Sequence, residues 1–434
     1  MASSRKSQQS PKIGKRIGVA LSGGLDSVVL LDTVCKTQAA NKHPAEIWAF
    51  HIHHGLQKPA DDWFIFCEKL AKKYKIHFDF RLLHLGSEST QGNVEARARA
   101  GRYDALTELC AEHGVEDLLL AHHQNDQAET VLLQLLRGAG VAGLAAMSEV
   151  RELKNGSTKI YLWRPLIQQS RAELEAYAKA NKLKWIEDPS NQDIQYRRNA
   201  IRKQIIPRLE KIQPDTVANL ARSAKVLAEA QSLLDRLAKQ DGSAVIEQSG
   251  LRVQPLLILA KKDLPAANNL VRYWLKSHGL AMPSQERLAS WWKDLAAVKS
   301  DAQLEWLHDG LKLRLWRGLI KVSQEQVGEW VFKKLPTSSK ALGLPVKWVK
   351  EAQKNGLMTL QPRAGAEKIQ VKPSTPRRSL KNLFQEGDIP PWQRQAPLLF
   401  IDGELIAVAG IGVSYPHLVA TGPRVLPEWS QESF

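Results

Sequence analysis

A short glycine-containing loop between a strand pattern and a helix pattern constrains the fold of this chain more than any other feature. The apolar run 17–21 ends at Ser22-Gly23-Gly24-Leu25-Asp26-Ser27, and the helical pattern 28–32 begins directly after it. Two glycines let backbone N–H groups turn toward an anion, and the following helix points its positive end at the same place. The sequence therefore predicts a strand, a phosphate-binding loop over residues 22–27 and a helix.

The acidic residue of this loop indicates which phosphates it holds. The loop lacks the lysine with which kinase-type and GTPase-type loops hold a terminal phosphate, and it carries Asp26 instead. A carboxylate beside a triphosphate is repulsive unless Mg²⁺ lies between them. We therefore expect a metal-held pyrophosphate leaving group. An ordinary glycine turn at a strand–helix junction is the alternative.

Apolar runs alternate with helical patterns through the first 213 residues. Such alternation predicts an α/β class with a doubly wound, mostly parallel sheet, helices on both faces and ligands at the strand C-termini. The expected strands are residues 17–21, 47–53, 76–84, 118–121 and 160–163. One expected helix follows the first strand and ends at about residue 38, and others cover residues 61–74, 93–113 and 126–137. The capping box Ser170-Arg171-Ala172-Glu173 opens a further helix.

The rest of the chain changes character twice. Long helical patterns with several tryptophans and little strand signal predict a helical domain over residues 214–334. Short β-like runs bounded by Gly and Pro then predict a small α+β domain over residues 335–434. With residues 1–213 as the catalytic domain, the sequence predicts three domains.

Charge and cysteine content narrow the class of partner and the compartment. The formal net charge of +16 over 434 residues favours a polyanion, with nucleic acid ahead of a membrane surface. Three cysteines without a C-x-x-C pair predict neither a disulfide framework nor a zinc or iron–sulfur site. No apolar run reaches the roughly 18 residues of a membrane span, and residues 1–15 lack a signal-peptide core. We expect a cytoplasmic protein.

A second polar group follows the expected strand 118–121. His122 and His123 stand at the strand end, and Asp126 and Glu129 share one face of the helix that follows. Two carboxylates beside a phosphate loop predict a Mg²⁺ site or an acid/base pair. Acidic residues also favour a helix N-terminus through the helix dipole, so these residues alone leave both interpretations open.

Basic residues form three further groups. Arg99 and Arg102 share a helix face with Glu95, so the glutamate can hold one guanidinium while the other meets an anion. Residues 196–211 and 363–381 each hold six Lys or Arg against one acid. Both stretches predict phosphate contacts with RNA, and a solvated charged surface is the alternative. The RNA candidates in these two stretches are Arg197, Arg198, Arg202, Arg377, Arg378 and Lys381.

Taken together, these motifs resemble the tRNA(Ile)-lysidine synthetase family of PP-loop ATP-pyrophosphatases, in its longer form with C-terminal domains. The resemblance covers most of residues 15–210, and the tail 363–394 resembles the C-terminal domain of the longer members. It is carried by the loop 22–27 and by residues 92–103, 121–140, 164–166, 185–191 and 197–202.

The resemblance implies a particular reaction. ATP would adenylate the C2 carbonyl oxygen of the wobble cytidine in the CAU anticodon of tRNA(Ile), with release of pyrophosphate. The ε-amine of free L-lysine would then displace AMP to give lysidine, changing decoding from AUG to AUA. Both domains after residue 213 would bind tRNA, with no membrane partner; the oligomeric state stays open, a homodimer included.

The resemblance also implies roles for particular residues. Asp26 and Asp126 are the expected Mg²⁺ and pyrophosphate ligands, and Glu129 is expected to bind metal or to deprotonate the lysine amine. ATP is expected to bind Ser22, Gly23, Gly24, Leu25, Asp26 and Ser27.

The chain departs from the family pattern at one position. Members commonly carry two adjacent aspartates after the histidine, whereas this chain has Asn125-Asp126. We expect Asp126 to carry the charge, while Asn125 caps the helix or contacts nucleotide through its amide.

Three other classes use or retain such a loop. tRNA-thiolating relatives resemble proteins with paired cysteines, which this chain lacks. Small-molecule amidating relatives would not need the basic C-terminal third. A non-catalytic RNA-binding protein would not need Asp26 together with Asp126 and Glu129.

Overall fold

The computed structural model describes residues 15–53, 59–83, 94–155, 158–187, 189, 193–247, 250–298, 304–323, 328–336 and 338–431. The chain divides into two compact units, Met1–Arg236 and Leu237–Phe434. The expected three-domain division stays a prediction.

A six-stranded sheet with the order β3-β2-β1-β4-β6-β5 organises the first unit. Its strands are β1 (Arg16–Ala20), β2 (Glu46–His53), β3 (His77–Leu82), β4 (Asp117–Leu119), β5 (Val150–Asn155) and β6 (Thr158–Trp163). Strands β1 to β4 and β6 pair in parallel, and only the edge strand β5 is antiparallel within this sheet. The expected α/β class with a mostly parallel sheet is confirmed, and β5 is an addition to it.

Helices cover both faces of this sheet, as the alternating pattern predicts. In chain order, the helices as far as residue 241 are α1 (Leu25–Ala39), α2 (Pro59–Tyr74), α3 (Val94–Glu112), α4 (Gln124–Leu135), α5 (Val141–Leu144), α6 (Arg171–Ala180), α7 (Arg197–Ala200), α8 (Ile206–Ile212) and α9 (Thr216–Asp241). Side chains of α1, α2 and α6 form one core layer, and those of α3 form the other. In β2, Ala49 packs in the first layer and Phe50 in the second. Each large side chain buried in these layers contributes about 1.5–3 kcal/mol.

The strand order reverses between β1 and β4. These neighbours are parallel, and the chain leaves them toward opposite edges of the sheet. Ligands of doubly wound sheets bind outside the strand C-termini at such a switch point. The loop 22–27 follows β1 and the histidine pair follows β4, so the two groups predicted from the sequence meet at this point.

Helices and antiparallel sheets share the second unit. Its first part contains β7 (Ile246–Glu247), β8 (Gly250–Arg252), α10 (Val253–Lys262), α11 (Leu264–Ser277), α12 (Gln285–Ala297), β9 (Leu304–His308), β10 (Leu311–Trp316) and β11 (Leu319–Ser323). The long helical patterns expected over residues 214–334 form α9, α10, α11 and α12. The five-stranded sheet β7-β8-β11-β10-β9 is not anticipated from the sequence, and Leu313 and Leu315 on β10 pack with the helices.

The final part of the second unit has α+β character, as expected. Its elements are β12 (Gly328–Leu335), β13 (Leu344–Pro345), α13 (Val346–Lys354), β14 (Met358–Gln361), β15 (Lys368–Ile369), β16 (Arg378–Ser379), α14 (Leu380–Glu386), β17 (Leu398–Ile401), β18 (Glu404–Val408), β19 (Gly412–Val413) and β20 (Arg424–Gln431). They form sheets β12-β20-β13, β14-β17-β18-β19 and β15-β16. Among the described residues, no helix has the length and apolarity needed to cross a membrane.

Candidate active site

The loop after β1 is shaped by its own serines and by one glycine. Ser27 Oγ donates to the carbonyl of Gly24 at 2.9 Å and accepts from the backbone N–H of Ser22 at 3.2 Å. Gly23 has φ +85°, and a Cβ there would lie 3.2 Å from Cys67 Sγ. Because L side chains rarely adopt this backbone conformation, the turn requires glycine at position 23.

The N-terminus of α1 is open toward the loop. Gly24 is its N-cap and, among the described residues, no side chain caps the helix. Backbone N–H groups in the first turn of a helix carry partial positive charge and bind anions when no side chain occupies them. The backbone N–H of Ile186 donates to the Gly23 carbonyl at 2.9 Å, so the segment predicted to belong to the site contacts this loop. Asp188, Ser190 and Asn191 of that segment lie outside the described residues.

His123 lies between the two predicted metal ligands. Its Nε2 is 3.6 Å from Asp26 Oδ2 and 3.6 Å from Asp126 Oδ2. Its Nδ1 accepts from the backbone N–H of Asn125, so the proton of the neutral ring is on Nε2. Burial alone would lower the pKa of His123, but Asp26 and Asp126 outweigh burial and raise it. The imidazole therefore lies between the two carboxylates, with Nε2 at the same distance from both.

The two aspartates differ in what else they contact. Asp126 Oδ2 accepts from the backbone N–H of His123 at 3.0 Å, which closes a capping box at the start of α4. Burial alone would raise the pKa of Asp126, but His123, His122 and Arg198 together outweigh burial and lower it. Asp26 Oδ2 also lies 3.7 Å from Arg171 Nη1.

Asp26 Oδ1 is buried and has no hydrogen-bond partner among the described residues. A buried polar atom without a partner costs about 1–3 kcal/mol, and more when it carries charge. A hard cation with oxygen ligands removes this cost, and Mg²⁺ is commonly held by one or two carboxylates together with substrate phosphates. The residues present therefore fit a Mg²⁺ ion at Asp26.

Glu129 is fully buried and forms ion pairs with two arginines. Arg202 donates from Nε to Glu129 Oε1 at 2.6 Å, and Arg198 donates from Nε to Glu129 Oε2 at 3.0 Å. Arg202 Nη2 also lies 3.6 Å from Asp126 Oδ1. A π-helical turn (Ile201–Ile205) joins α7 to α8 and places both guanidinium groups at one carboxylate. The structure thus brings Asp126, Glu129, Arg198 and Arg202 together.

A buried arginine fixes the tautomer of His122. Arg164 donates from Nε to His122 Nδ1 at 3.2 Å and from Nη1 to the Ser148 carbonyl at 2.7 Å. An arginine nitrogen is always a donor, so His122 Nδ1 carries no proton and the neutral ring is protonated at Nε2. Burial lowers the pKa of His122 to about 4.

The remaining predicted residues occupy more exposed positions. Arg99 is exposed with its guanidinium 5.9 Å from the ring centre of Tyr103, and Arg102 is exposed on the same helix. Arg197 is exposed. In the second unit, Arg378 is paired with Glu386, whereas Arg377 and Lys381 are exposed.

Sequence reasoning assigned no role to Arg164 or Arg171, although both belong to this site. Arg164 stands in the block 164–166 that carries part of the resemblance, and Arg171 follows the predicted capping serine. Neither motif shows that these guanidinium groups reach His122 and Asp26.

The loop, the switch point and the acidic pair define the class of the protein. A family model described as a PP-loop domain matches residues 2–209, so the first unit is an ATP-utilising PP-loop domain. Models described as the TilS substrate binding domain and the TilS substrate C-terminal domain match residues 255–320 and 358–424. The chain belongs to the tRNA(Ile)-lysidine synthase (synthetase) family, whose members are enzymes of the ligase type.

Curated relatives cover nearly the whole chain. The tRNA(Ile)-lysidine synthase of Burkholderia pseudomallei is 36% identical, over 92% of this chain and 89% of its own length. That of Shigella flexneri is 35% identical, over 92% and 93% respectively. That of Coxiella burnetii is 34% identical, over 90% and 88%.

Proposed function

We propose that this enzyme joins free L-lysine to C2 of the wobble cytidine of tRNA(Ile) with a CAU anticodon, through an adenylated tRNA. The product, lysidine, changes decoding from AUG to AUA. One observation carries the proposal: the phosphate loop after β1 and the acid–arginine group after β4 meet at the switch point of the sheet. The relatives' names supply the substrate. We place the reaction in the cytoplasm.

The nucleotide is held by the loop and the start of α1. Backbone N–H groups in the uncapped first turn of α1, at the positive end of the helix, bind the phosphates of ATP. Asp26 and Asp126 are the residues that would hold Mg²⁺, which when bound neutralises charge on the departing pyrophosphate. The buried, unpaired Oδ1 of Asp26 supports this assignment. Arg171, with Nη1 at 3.7 Å from Asp26 Oδ2, orients that carboxylate.

Glu129 positions arginines in this proposal. Both of its oxygens accept from guanidinium donors, so a role as metal ligand or base would require one of them to change partner. Arg198 and Arg202 are thereby fixed at the edge of the site before any substrate arrives. Charge that is preorganised in this way stabilises the negative charge of a phosphoryl or adenylyl transition state more strongly than mobile groups do.

The cysteines argue against the thiolating alternative. Burial raises the pKa of Cys67 and of Cys110 to about 12, and that of Cys35 to about 11. A thiol at such a pKa is protonated at neutral pH and is a poor nucleophile or metal ligand. Lysine transfer needs no thiolate, so it is the function that these residues support.

A substrate-omission assay tests the proposal. The full chain is incubated with ATP, tRNA(Ile) transcript and radiolabelled lysine, and pyrophosphate release and lysine incorporation are both followed. We expect sustained pyrophosphate release only with tRNA and lysine together, and no incorporation when the wobble cytidine is replaced by uridine. Pyrophosphate release that is independent of tRNA, or that requires a sulfur donor in place of lysine, would overturn it.

A further inference from the structure

The second unit contains an open pocket with two arginines in its wall. The pocket has a volume of about 430 Å³ and is lined by Pro362, Arg363, Pro391, Arg394 and Gln395. No carboxylate is among these lining residues, which belong to the described part of the chain. We call it the Arg363–Arg394 pocket. Its wall offers hydrogen-bond donors and positive charge, and this composition suits an anion.

Aromatic rings hold both guanidinium groups in place. The guanidinium carbon of Arg363 is 4.8 Å from the ring centre of Phe384, and that of Arg394 is 5.8 Å from the same ring. Arg394 also lies 5.7 Å from the ring centre of Trp316 and donates from Nε to the Ile389 carbonyl at 2.6 Å. Stacking of this kind fixes the plane of a guanidinium, so less entropy is lost when it binds a ligand.

The carboxylates near the pocket have other partners. Glu367, whose charge acts on Arg363, accepts from the backbone N–H groups of Ala364 and Gly365. Asp388, whose charge acts on Arg394, is paired with Arg317 at 2.8 Å and accepts from Trp316 Nε1 at 3.3 Å. Arg363 Nε is buried without a hydrogen-bond partner among the described residues. Burial, and then repulsion by Arg363 and Arg317, lower the pKa of Arg394. An anion in the pocket would relieve this repulsion.

We propose that the Arg363–Arg394 pocket binds a backbone phosphate of the tRNA substrate. The planar fork of arginine matches the oxygens of a phosphate in two parallel hydrogen bonds, and two such forks on one pocket favour phosphate over a neutral ligand. This inference rests on the proposed function, which supplies the RNA. The sequence prediction for residues 363–381 rested on charge alone and included Arg378. The present proposal does not include Arg378, because that residue is paired with Glu386.

Salt-dependent tRNA binding by the full chain tests the pocket. The variants are Arg363→Gln, Arg394→Gln and their double variant, with Arg252→Gln as matched control. Arg252 is an exposed arginine of the same unit, paired with Glu247, and its loss removes the same charge. We expect the double variant to bind tRNA(Ile) about tenfold more weakly at 0.15 M salt, and its log–log salt slope to fall by about one unit. The control should keep the wild-type slope.

Two further measurements test whether the bound phosphate belongs to tRNA and whether the variants are folded. Inorganic phosphate is titrated and followed by ³¹P NMR; a variant that loses phosphate binding but keeps the tRNA salt slope would show a small-anion site and overturn the proposal. Arg363→Lys keeps the charge, so it should keep the slope even if the Gln variants unfold at a lower temperature. An unchanged slope in a folded double variant also overturns it.

The failure of this inference and that of the proposed function are distinguishable. If the wild-type chain incorporates lysine and the double variant binds tRNA like wild type, only the pocket assignment fails. If the wild-type chain neither binds tRNA(Ile) nor incorporates lysine, the proposed function fails and the pocket loses its ligand.

Discussion

The side-chain carbonyl of Asn125 accepts a hydrogen bond of 3.0 Å from the backbone N–H of Arg171, the first residue of α6. Asn125 therefore caps a neighbouring helix, while His123 is the N-cap of its own helix α4. The contact also fixes the start of α6, from which the side chain of Arg171 reaches to 3.7 Å from Asp26. An asparagine in place of the usual aspartate thus has a structural role in this site.

Substitutions at the Asn125-Asp126 pair should separate this role from metal binding. Asn125→Asp keeps an acceptor for the Arg171 N–H, and a negative charge is favourable at a helix N-terminus, so activity should stay within a few-fold of wild type. Asp126→Asn removes a carboxylate beside His123 and should lose most activity. Lysine incorporation at several Mg²⁺ concentrations measures both. The assignment fails if Asp126→Asn is near normal, or if Asn125→Asp gains tenfold or more, about 1.4 kcal/mol of barrier.

Asp26→Asn should leave the fold intact and abolish pyrophosphate release. The amide is of similar size, but it cannot neutralise a cation at the leaving group. Thermal unfolding of the variant provides the control, and its midpoint should lie close to or above that of wild type, because the unpaired Oδ1 no longer bears charge. A folded Asp26→Asn enzyme with normal pyrophosphate release would exclude the metal assignment.

Glu129→Gln should lower stability as well as activity. Removing one partner of a buried ion pair typically costs about 3–5 kcal/mol, and here it leaves two guanidinium groups without their carboxylate. Urea unfolding and lysine incorporation are measured on the same preparations. If Glu129 acted as a base alone, activity would fall while the unfolding midpoint stayed unchanged. That outcome would contradict the positioning role.

His122 should remain neutral throughout the physiological pH range. Burial lowers its pKa to about 4, and the Arg164 donor keeps Nδ1 free of a proton. In ¹⁵N spectra of histidine-labelled protein, assigned by comparison with His122→Gln, the Nδ1 signal should be that of an unprotonated nitrogen from pH 5 to pH 8. Titration of His122 near its ordinary pKa of 6.5 would show that Arg164 does not hold it.

Asp32 should make the first unit more stable above pH 4 than below it. Its buried carboxylate accepts from Tyr74 at 2.6 Å and Tyr177 at 2.7 Å, and it pairs with Lys36. Burial alone would raise its pKa, but the hydrogen bonds from Lys36 and the tyrosines outweigh burial and lower it below 3.8. A lowered folded-state pKa contributes stability above the unfolded value, and that stability is lost as the pH falls through the folded value.

The unfolding midpoint of Asp32→Asn compared with wild type checks this linkage. The variant should be less stable than wild type at pH 7, and the difference should shrink as the pH falls below about 4. Glu68→Gln is a suitable control, because Glu68 is paired with Lys72 on an exposed face of α2. A difference that does not depend on pH would contradict the assignment.

Local patterns in the sequence predict the sheet of the first unit because each strand and helix is encoded by neighbouring residues. The capping box at Ser170 and Glu173 is present as predicted. The strand β10 also carries a local signal, the alternation of Leu311, Leu313 and Leu315 with basic residues, but it stands among long helical patterns that dominate the interpretation.

Pairings between distant residues could not be predicted in this way. Glu129 lies 69 positions before Arg198, and the sequence shows their charges without showing that they meet. Arg164 and His122 are separated by 42 positions, and each follows the end of a different strand, β6 and β4 respectively. The roles of Glu129 and His122 follow from these contacts, so they depend on the tertiary structure.

The π-helical turn Ile201–Ile205 has a consequence for how this site tolerates change. Such a turn contains a residue more than a regular helix, and a regular helix rotates by about 100° per residue. Deleting one residue here would restore the regular hydrogen-bond ladder and swing Arg198 and Arg202 away from Glu129. The helix itself would then be regular, but the buried Glu129 would lose its guanidinium partners and the enzyme would be less active. A one-residue deletion at this turn should therefore lower stability together with turnover, because a buried carboxylate that loses its guanidinium partners costs about 3–5 kcal/mol.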